Sequence, residues 1–273
     1  MVKVVIILLG ILLLFPAYWM LNGSFQDIRE IMKYPPRVIP RNPTLQNYEF
    51  LLGNTQIVRW FFNTVVVGAA ALGFSLFCIA TAAYALAYFE FRFKRLFYWI
   101  LLIPIFLPGT VLIIPRFVIM RYLGMLNTYW PLILVGGTAS VAIVLMMHYF
   151  ERLPRCLLDA ARMDGLGEFS IIFRIILPQC KPLLGYFAIT GFMHVYQDVL
   201  WPLLVLADES KHTMTLGMMS YLNRFHTIHG GTGSLLIGVM LAGGVVLSIP
   251  LIVMFMVFQR TFRNQFILGG INE

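Results

Sequence analysis

Six long apolar stretches alternate with shorter polar stretches along the chain. A run of about 20 apolar residues is long enough to cross the hydrocarbon core of a bilayer as a helix. The pattern therefore predicts an all-α membrane protein with six spanning helices. Their predicted bounds are Val4–Leu21, Trp60–Tyr88, Leu96–Met120, Tyr129–Phe150, Leu183–Leu206 and Ser234–Phe258.

The most polar interior stretch, Leu157–Pro178, lies between the fourth and fifth predicted spans. A polar segment flanked by two membrane-length runs must lie in water, so it is a loop on one face of the membrane. Pro154 suits the first turn of a helix, where its missing N–H needs no partner. Gly165 permits a break between two short helices, and Pro178 is expected to end the second one.

The second half of this loop carries apolar residues at helical spacing. Phe169, Ile172, Phe173 and Ile176 follow the pattern i, i+3, i+4, i+7, which predicts a single apolar stripe. A loop that folds into two short amphipathic helices is predicted to be a docking surface. The alternative is that its helices pack on the protein's own membrane domain, with Arg155 and Asp159 as a surface pair.

Composition supports the membrane assignment and excludes a nucleic-acid partner. The 273 residues are 60% hydrophobic and 12% charged, whereas soluble domains carry about 25% charged residues. The net charge of +8 comes from basic residues scattered through the loops, which is typical of membrane-flanking charge. The cysteines form neither a metal-binding nor a disulfide pattern, and no metal site is expected. The cysteines are Cys78, Cys156 and Cys180.

Proline and polar residues mark irregular regions elsewhere. Pro104, Pro108 and Pro115 predict a broken or kinked third span, which either shapes a gate or only assists packing. Asn22–Val58 is predicted to be a long polar loop ordered by proline rather than by helix. Ala207–Gly233 is predicted to be a second polar loop on the same side.

Ionisable residues inside the fifth span are costly in lipid and therefore suggest a function. His194 and Asp198 are four residues apart, which would place them on one helix face. They could form a proton relay in a secondary carrier, part of an intramembrane enzyme or metal site, or hydrogen-bonded positions in the bundle or a wet translocation path. With Gln197, Pro108 and Pro115 they are the candidate translocation-path residues.

The polar loop resembles the signature of the membrane subunit of bacterial ATP-binding-cassette importers. That signature reads Glu-Ala-Ala, three residues, Gly, nine residues, Ile-x-Leu-Pro. Here the corresponding residues, with Asp in place of the first Glu, are Asp159, Ala160, Ala161, Gly165, Ile175, Leu177 and Pro178. Asp164, before the glycine, also fits. Trp201-Pro202 and Leu123–Thr128 are similar to further landmarks of the carbohydrate (maltose-type, second permease) branch.

The resemblance implies an importer-type (MetI-like) permease fold of six helices and a function in transport. It implies that the loop seats on an ATPase, through the signature residues together with Phe169 and Phe173. A second permease subunit, two ATP-binding-cassette ATPases and an extracytoplasmic solute-binding protein are the implied partners, besides membrane lipid. ATP and Mg²⁺ would belong to the ATPases, because this chain has no Walker pattern and is expected to be non-catalytic.

The resemblance further implies a sugar or oligosaccharide as the solute, with a polyol, glycerol phosphate or another polar nutrient as the alternative. The whole chain, 1–273, is expected to form one polytopic domain, with a permease core at 60–260 and a cytoplasmic coupling loop at 151–182. Placing that loop in the cytoplasm of a bacterial cell puts both termini there and agrees modestly with Lys/Arg density.

Overall fold

The computed structural model describes residues 2–31, 33–35, 37–136, 140–228 and 233–269. In this part of the chain every regular element is helical, as predicted. Met1 and residues 270–273 lie outside the described residues. The prediction that both termini lie in the cytoplasm therefore concerns residues outside the described part of the chain.

Three of the predicted spans are uninterrupted helices. They are α1 (Val2–Ser24), α4 (Ile57–Tyr88) and α15 (Gly233–Gly269). The apolar part of α15 that is long enough to cross a membrane is Ile237–Met256, which agrees with the predicted span Ser234–Phe258. The helix itself continues to Gly269, because the polar residues after Phe258 extend it without changing its backbone.

Of the remaining three predicted spans, the third and the fifth are interrupted, and the fourth includes residues 137–139, which lie outside the described residues. The third consists of α5 (Lys94–Phe106), a 3₁₀ turn (Gly109–Leu112) and α6 (Ile113–Tyr122), which are bent by 110°. The fourth consists of α7 (Trp130–Gly136) and α8 (Ser140–Glu151), and the fifth of α12 (Lys181–Gln197) and α13 (Leu200–Val205).

The break in the third span has a local cause at Pro108. A residue before proline is disfavoured in the helical region, and Leu107 adopts φ −93° and ψ 131°. Pro104 lies inside α5, and Pro115 lies in the first turn of α6, where backbone N–H groups have no helical partner anyway. The predicted break is therefore confirmed, and one of the three prolines accounts for it.

Two polar connections contain helices that the sequence analysis did not predict. The first connection holds α2 (Ile28–Ile31) and α3 (Gln46–Asn54), and Ala207–Gly233 holds a 3₁₀ turn (Glu209–Lys211) and α14 (Met214–Ile228). The prediction that Asn22–Val58 is ordered by proline rather than by helix was therefore wrong, and the polar loop predicted at Ala207–Gly233 contains a helix. Apolar side chains between the polar ones are buried and explain α14; they are Met214, Leu216, Met218 and Leu222.

In the described residues, α4 and the Ile237–Met256 part of α15 are long and apolar enough to cross a membrane by themselves. Counting each of three bent pairs as one span raises the number to five. One of these pairs joins Glu168–Gln179 of the polar loop to Lys181–Gln197, so it corresponds only in part to the predicted fifth span. The shorter apolar stretch Leu8–Ser24 in α1 corresponds to the first predicted span.

The chain divides into two compact units. One comprises Met1–Phe62 and His212–Phe255, and the other Asn63–Lys211 and Met256–Glu273. The second unit contains the polar loop and a hydrophobic core around it, built from buried side chains of α4, α8 and the loop.

Within the first unit, Trp60 packs directly on the backbone of α14. Its side chain is fully buried, and a Cβ added at Gly217 would lie 2.2 Å from Trp60 Cδ2. Close approach to Trp60 therefore requires glycine at position 217.

A second contact in the same unit fixes α3 to the end of α1. The Asn47 amide donates hydrogen bonds to the carbonyls of Ser24, at 2.9 Å, and Gln26, at 3.0 Å.

We expect Gly217→Ala to lower the thermal stability of the protein in detergent. Alanine favours a helix by about 1 kcal/mol, but overpacking against a rigid indole costs about 1–3 kcal/mol. The matched control is Gly53→Ala in α3, where nothing lies within 4 Å of the added Cβ, so the same substitution should raise stability. A Gly217→Ala protein that unfolds at a higher temperature than the wild type would contradict the packing argument.

Candidate functional site

The first arm of the polar loop is α9 (Arg155–Met163), which begins after Pro154. Pro154 is the N-cap residue, with φ −60° and ψ 124°, so it stands one position before the first turn in which it was predicted. Leu158 and Ala161 are buried, three positions apart on one face. Asp159, Ala160 and Met163 are exposed on the opposite side. The first predicted amphipathic helix is thus confirmed.

Gly165 ends this helix by a Schellman motif. The N–H of Leu166 donates to the carbonyl of Ala161 at 3.1 Å, and the N–H of Gly165 donates to that of Arg162 at 3.0 Å. This motif needs a residue in the left-handed region after the helix, and Gly165 has φ +79°. The predicted break is confirmed, and it explains why glycine stands at this point of the signature.

The second arm runs from Glu168 to Gln179 as α10 (Glu168–Ser170), a π-helical turn (Ile171–Ile176) and α11 (Leu177–Gln179). Pro178 was predicted to end this arm, and that prediction was wrong, because Pro178 lies within α11. Because the π turn closes before it, Pro178 falls in a first turn, where proline is tolerated. The helix ends at Cys180 instead, and the segment is bent there by 90° from α12.

The predicted apolar stripe is split between two faces. Ile172 and Ile176 are buried in the protein's own core, whereas Phe169 is 65% exposed. Ile171 and Ile176 both point inward although they are five residues apart, which fits a turn closed by i→i+5 hydrogen bonds rather than an α-helical turn. The stripe as predicted for partner contact was therefore wrong for its two isoleucines.

A charged cluster joins the two arms to each other and to α4. Arg162 Nε donates to Glu168 Oε1 at 3.0 Å, and its Nη2 donates to Oε2 at 3.3 Å. The buried hydroxyl of Tyr84, near the end of α4, donates to the same Oε2. We call Tyr84, Arg162 and Glu168 the loop clamp.

The electrostatics of the loop clamp favour the ionised form of its carboxyl group. Burial raises the pKa of Glu168, but hydrogen bonds from Tyr84 and Arg162 and the arginine charge outweigh this effect, so the pKa is lowered overall. The same contact raises the pKa of Arg162. Sequence reasoning missed this cluster, since it identified Glu168 only as a polar loop residue and did not single out Tyr84, which is 84 positions away.

Further contacts fix the second arm to the neighbouring helices. The rings of Phe173 and Phe77 stack with centroids 6.0 Å apart and planes inclined by 11°. The hydroxyl of Tyr149 donates to the carbonyl of Gln179 at 3.1 Å. Cys180 is buried at the bend, and its thiol donates to the carbonyl of Ile176 at 3.3 Å. The back of the loop is therefore part of the protein's own core.

The signature residues lie on both sides of the loop. Those with buried or half-buried side chains that pack into the core are Ala161, Ile175 and Leu177. Those exposed are Asp159, Ala160, Asp164, Gly165 and Pro178. Among the described residues, Arg155 and Asp159 do not form an ion pair, so the structure lacks the surface pair that the alternative reading of α9 included.

The open face of the loop, defined as Asp159, Met163, Asp164 and Phe169, carries two large apolar side chains. Met163 is 88% exposed and Phe169 is 65% exposed. Both flank the turn at Gly165, next to the two aspartates. Met163 was not among the predicted contact residues, although its position beside the signature could have pointed to it.

The candidate translocation-path residues occupy the interruptions and ends of helices. Asp198 is the C-cap residue of α12, with φ −69° and ψ 124°, and its Oδ1 accepts a hydrogen bond from the N–H of Trp201 at 3.3 Å. Its backbone N–H donates to the carbonyl of His194 at 3.1 Å, so Asp198 follows His194 by one helical turn, as their spacing predicted, at the point where the helix ends. His194 and Gln197 are exposed in the last turns of α12.

Pro108 precedes the 3₁₀ turn of the third span, and Pro115 lies in α6. Within the described residues, no hydrogen bond or ion pair links either proline segment to the end of α12. The assignment of these five residues to a translocation path stays a prediction.

We expect Tyr84→Phe to loosen the second arm of the loop. The change removes one hydrogen bond to a charged acceptor, worth about 1.5 kcal/mol, so amides of residues 168–176 should exchange with deuterium about tenfold faster. Hydrogen–deuterium exchange with mass spectrometry measures this.

The matched control for this change is Tyr88→Phe, one turn further along α4. The hydroxyl of Tyr88 donates to the carbonyl of Phe150 at 2.6 Å, outside the loop clamp, so residues 168–176 should keep their wild-type exchange. Equal acceleration by the two variants would contradict a specific role of Tyr84.

Comparison with known proteins agrees with this architecture. The chain is 32% identical over 267 residues to the arabinooligosaccharides transport system permease protein AraQ of Bacillus subtilis, covering 97% of this chain and 92% of that protein. It is 30% identical over 263 residues to the diacetylchitobiose uptake system permease protein NgcG of Streptomyces coelicolor, covering 95% of this chain and 84% of that protein.

A solved structure has the same fold. It is the crystal structure of a bacterial ABC transporter involved in the import of the acidic polysaccharide alginate, one chain of which matches with a TM-score of 0.83 and 22% identity, over 94% of each chain. Residues 75–266 match the family model described as binding-protein-dependent transport system inner membrane component. This chain therefore belongs to the family of inner membrane components of binding-protein-dependent transport systems.

Proposed function

We propose that this chain is a permease subunit of an ATP-driven, binding-protein-dependent importer of a sugar or oligosaccharide. The observation that carries the proposal is the polar loop, which has the signature spacing, a back built into the core and an open face on the other side. In this proposal the loop lies in the cytoplasm, and an ATPase binds the open face.

The open face has the chemistry of a partner contact. Two large apolar side chains in water favour burial at about 25 cal/mol per Å², and the neighbouring Asp159 and Asp164 offer charges for specificity. In the described residues, neither carboxylate has an ion-pair partner within the chain. An ATPase cleft with an apolar floor and basic rim would satisfy both groups.

The loop clamp gives such an ATPase a route to the spanning helices. Tyr84 belongs to α4, while Glu168 belongs to the arm that bends by 90° into α12. A displacement of the open face would therefore act on two apolar helices through hydrogen bonds and core packing rather than through a flexible linker. This supports the proposal that ATPase closure changes access to the translocation path.

The energy source and the solute follow from different observations. ATP would be bound and hydrolysed by separate ATPase chains, and this chain would act without catalysing a reaction, paired with a second permease subunit. Oligosaccharide is the proposed solute class because the relatives are described as permeases for arabinooligosaccharides and diacetylchitobiose. An extracytoplasmic solute-binding protein would deliver it, as the family description indicates.

The proposed function predicts ATP-dependent uptake only by the assembled system. Proteoliposomes that contain this chain with its co-purified partners should accumulate a radiolabelled oligosaccharide when ATP and binding protein are supplied. The chain alone should be inert, with or without a proton gradient. Uptake by the chain alone, driven by a proton gradient and abolished by Asp198→Asn, would overturn the proposal in favour of a proton-coupled carrier.

The coupling role predicts that a charge on the open face uncouples the transporter. Met163→Asp and Phe169→Asp should each reduce ATPase association or solute-stimulated ATP hydrolysis at least about tenfold, because central apolar contacts dominate interface energies. Co-purification and ATPase assays in proteoliposomes measure the two quantities.

The matched control is Gln179→Glu, which adds the same charge at the far, exposed end of the loop and should retain most activity. Variants with Asp at 163 or 169 that assemble normally and transport at the full rate would contradict the role of the open face.

A further inference from the structure

A second polar feature lies beside the loop and is not used by the proposed function. A cavity of about 460 Å³ lies between the last turn of α4, the start of α5 and the end of α8. Its lining includes several charged residues, which are Glu90, Arg92, Lys94, Arg95, His148 and Glu151. Because α8 ends at Glu151 and α9 begins at Arg155, the cavity is on the side of the membrane that carries the polar loop.

The charges of this cavity are unevenly paired. Lys94 Nζ lies 2.9 Å from Glu90 Oε1, and His148 Nδ1 lies 3.0 Å from Glu151 Oε2. Both carboxylates of the lining are therefore already engaged. In the described part of the chain, no carboxylate lies within ion-pair distance of Arg92 or Arg95, so the cavity has an excess of positive charge.

The two arginines suit a phosphate group. A guanidinium presents planar donors that match phosphate oxygens in a bidentate arrangement. The Arg92 guanidinium lies 5.5 Å from the centroid of the Phe93 ring, and this contact restricts its orientation. Arg95 follows three positions later, within the first turn of α5.

An apolar stripe follows Arg95 on its own face of α5. Trp99 and Phe106 are 54% and 82% exposed, and they lie four and eleven positions after Arg95, which puts them on the same side of the helix as that arginine. An exposed tryptophan is typical of the membrane–water interface. A ligand that combines a phosphate with long apolar chains would satisfy the arginines and the stripe together.

We propose that this cavity binds the headgroup of an anionic phospholipid, with its phosphate on Arg92 and Arg95 and its acyl chains along Trp99 and Phe106. Basic pockets between membrane helices on the cytoplasmic side bind such headgroups. A soluble phosphate would use the arginines but not the stripe. An acidic protein segment would also leave the stripe in lipid, so the continuity of charge and apolar surface favours lipid.

The test measures lipid retained by the purified full-length chain by native mass spectrometry. Phosphatidylglycerol should bind in preference to phosphatidylcholine. Each of Arg92→Gln and Arg95→Gln should lower the apparent association constant for phosphatidylglycerol about fivefold, as expected for about 1 kcal/mol per basic residue near a membrane surface. Glu90→Gln, which releases Lys94, should raise it.

The matched control is Arg121→Gln in the last turn of α6, an exposed arginine outside the cavity. It removes the same charge and should leave lipid retention unchanged. Equal loss with Arg121→Gln, equal retention of the two lipids, or displacement of the lipid by an equal concentration of glycerol 1-phosphate would each overturn the proposal. None of these outcomes bears on ATP-dependent uptake, so failure here is distinct from failure of the proposed function.

Discussion

The carboxylate of Glu168 is the point at which the polar loop is joined to the apolar helices. It accepts hydrogen bonds from Arg162, across the turn at Gly165, and from Tyr84 in α4. A charge near an apolar core is stable only when it is paired and hydrogen-bonded, so the position of Glu168 depends on both partners. The loop is consequently a folded extension of the membrane helices, with its back buried and its front open.

The same end of α4 organises the neighbouring surface. Tyr84 holds the loop, and Tyr88, one turn later, holds the end of α8 through the carbonyl of Phe150. The basic turn that follows then forms one wall of the cavity. One helix end therefore positions both the proposed partner contact and the proposed lipid site. A lipid bound there would lie against the helices to which the loop is anchored.

Where the apolar helices are interrupted, the freed backbone groups need other hydrogen-bond partners, because lipid offers none. At Asp198 the helix stops, and the side chain accepts from the Trp201 backbone, while the Trp201 indole donates to the Pro131 carbonyl at 3.1 Å. Nearby, the Asn127 side chain accepts from the N–H groups of Ala207, at 3.2 Å, and Asp208, at 3.0 Å. Polar residues in and beside the fifth span thus form hydrogen bonds at helix ends, which agrees with the alternative that Asp198 is a hydrogen-bonded position in the bundle.

Local physics explains what the sequence alone determined. Run length predicted the apolar segments, the prolines of the third span predicted its break, and the glycine at position 165 predicted the turn, because each depends on a few neighbouring residues. The signature spacing then predicted the family. Only the tertiary structure decided which isoleucines of the second arm face inward, that α14 is a helix, and that Tyr84 meets Glu168. Those outcomes depend on the packing of distant segments, and a periodic pattern contains no information about which of two apolar faces another helix will cover.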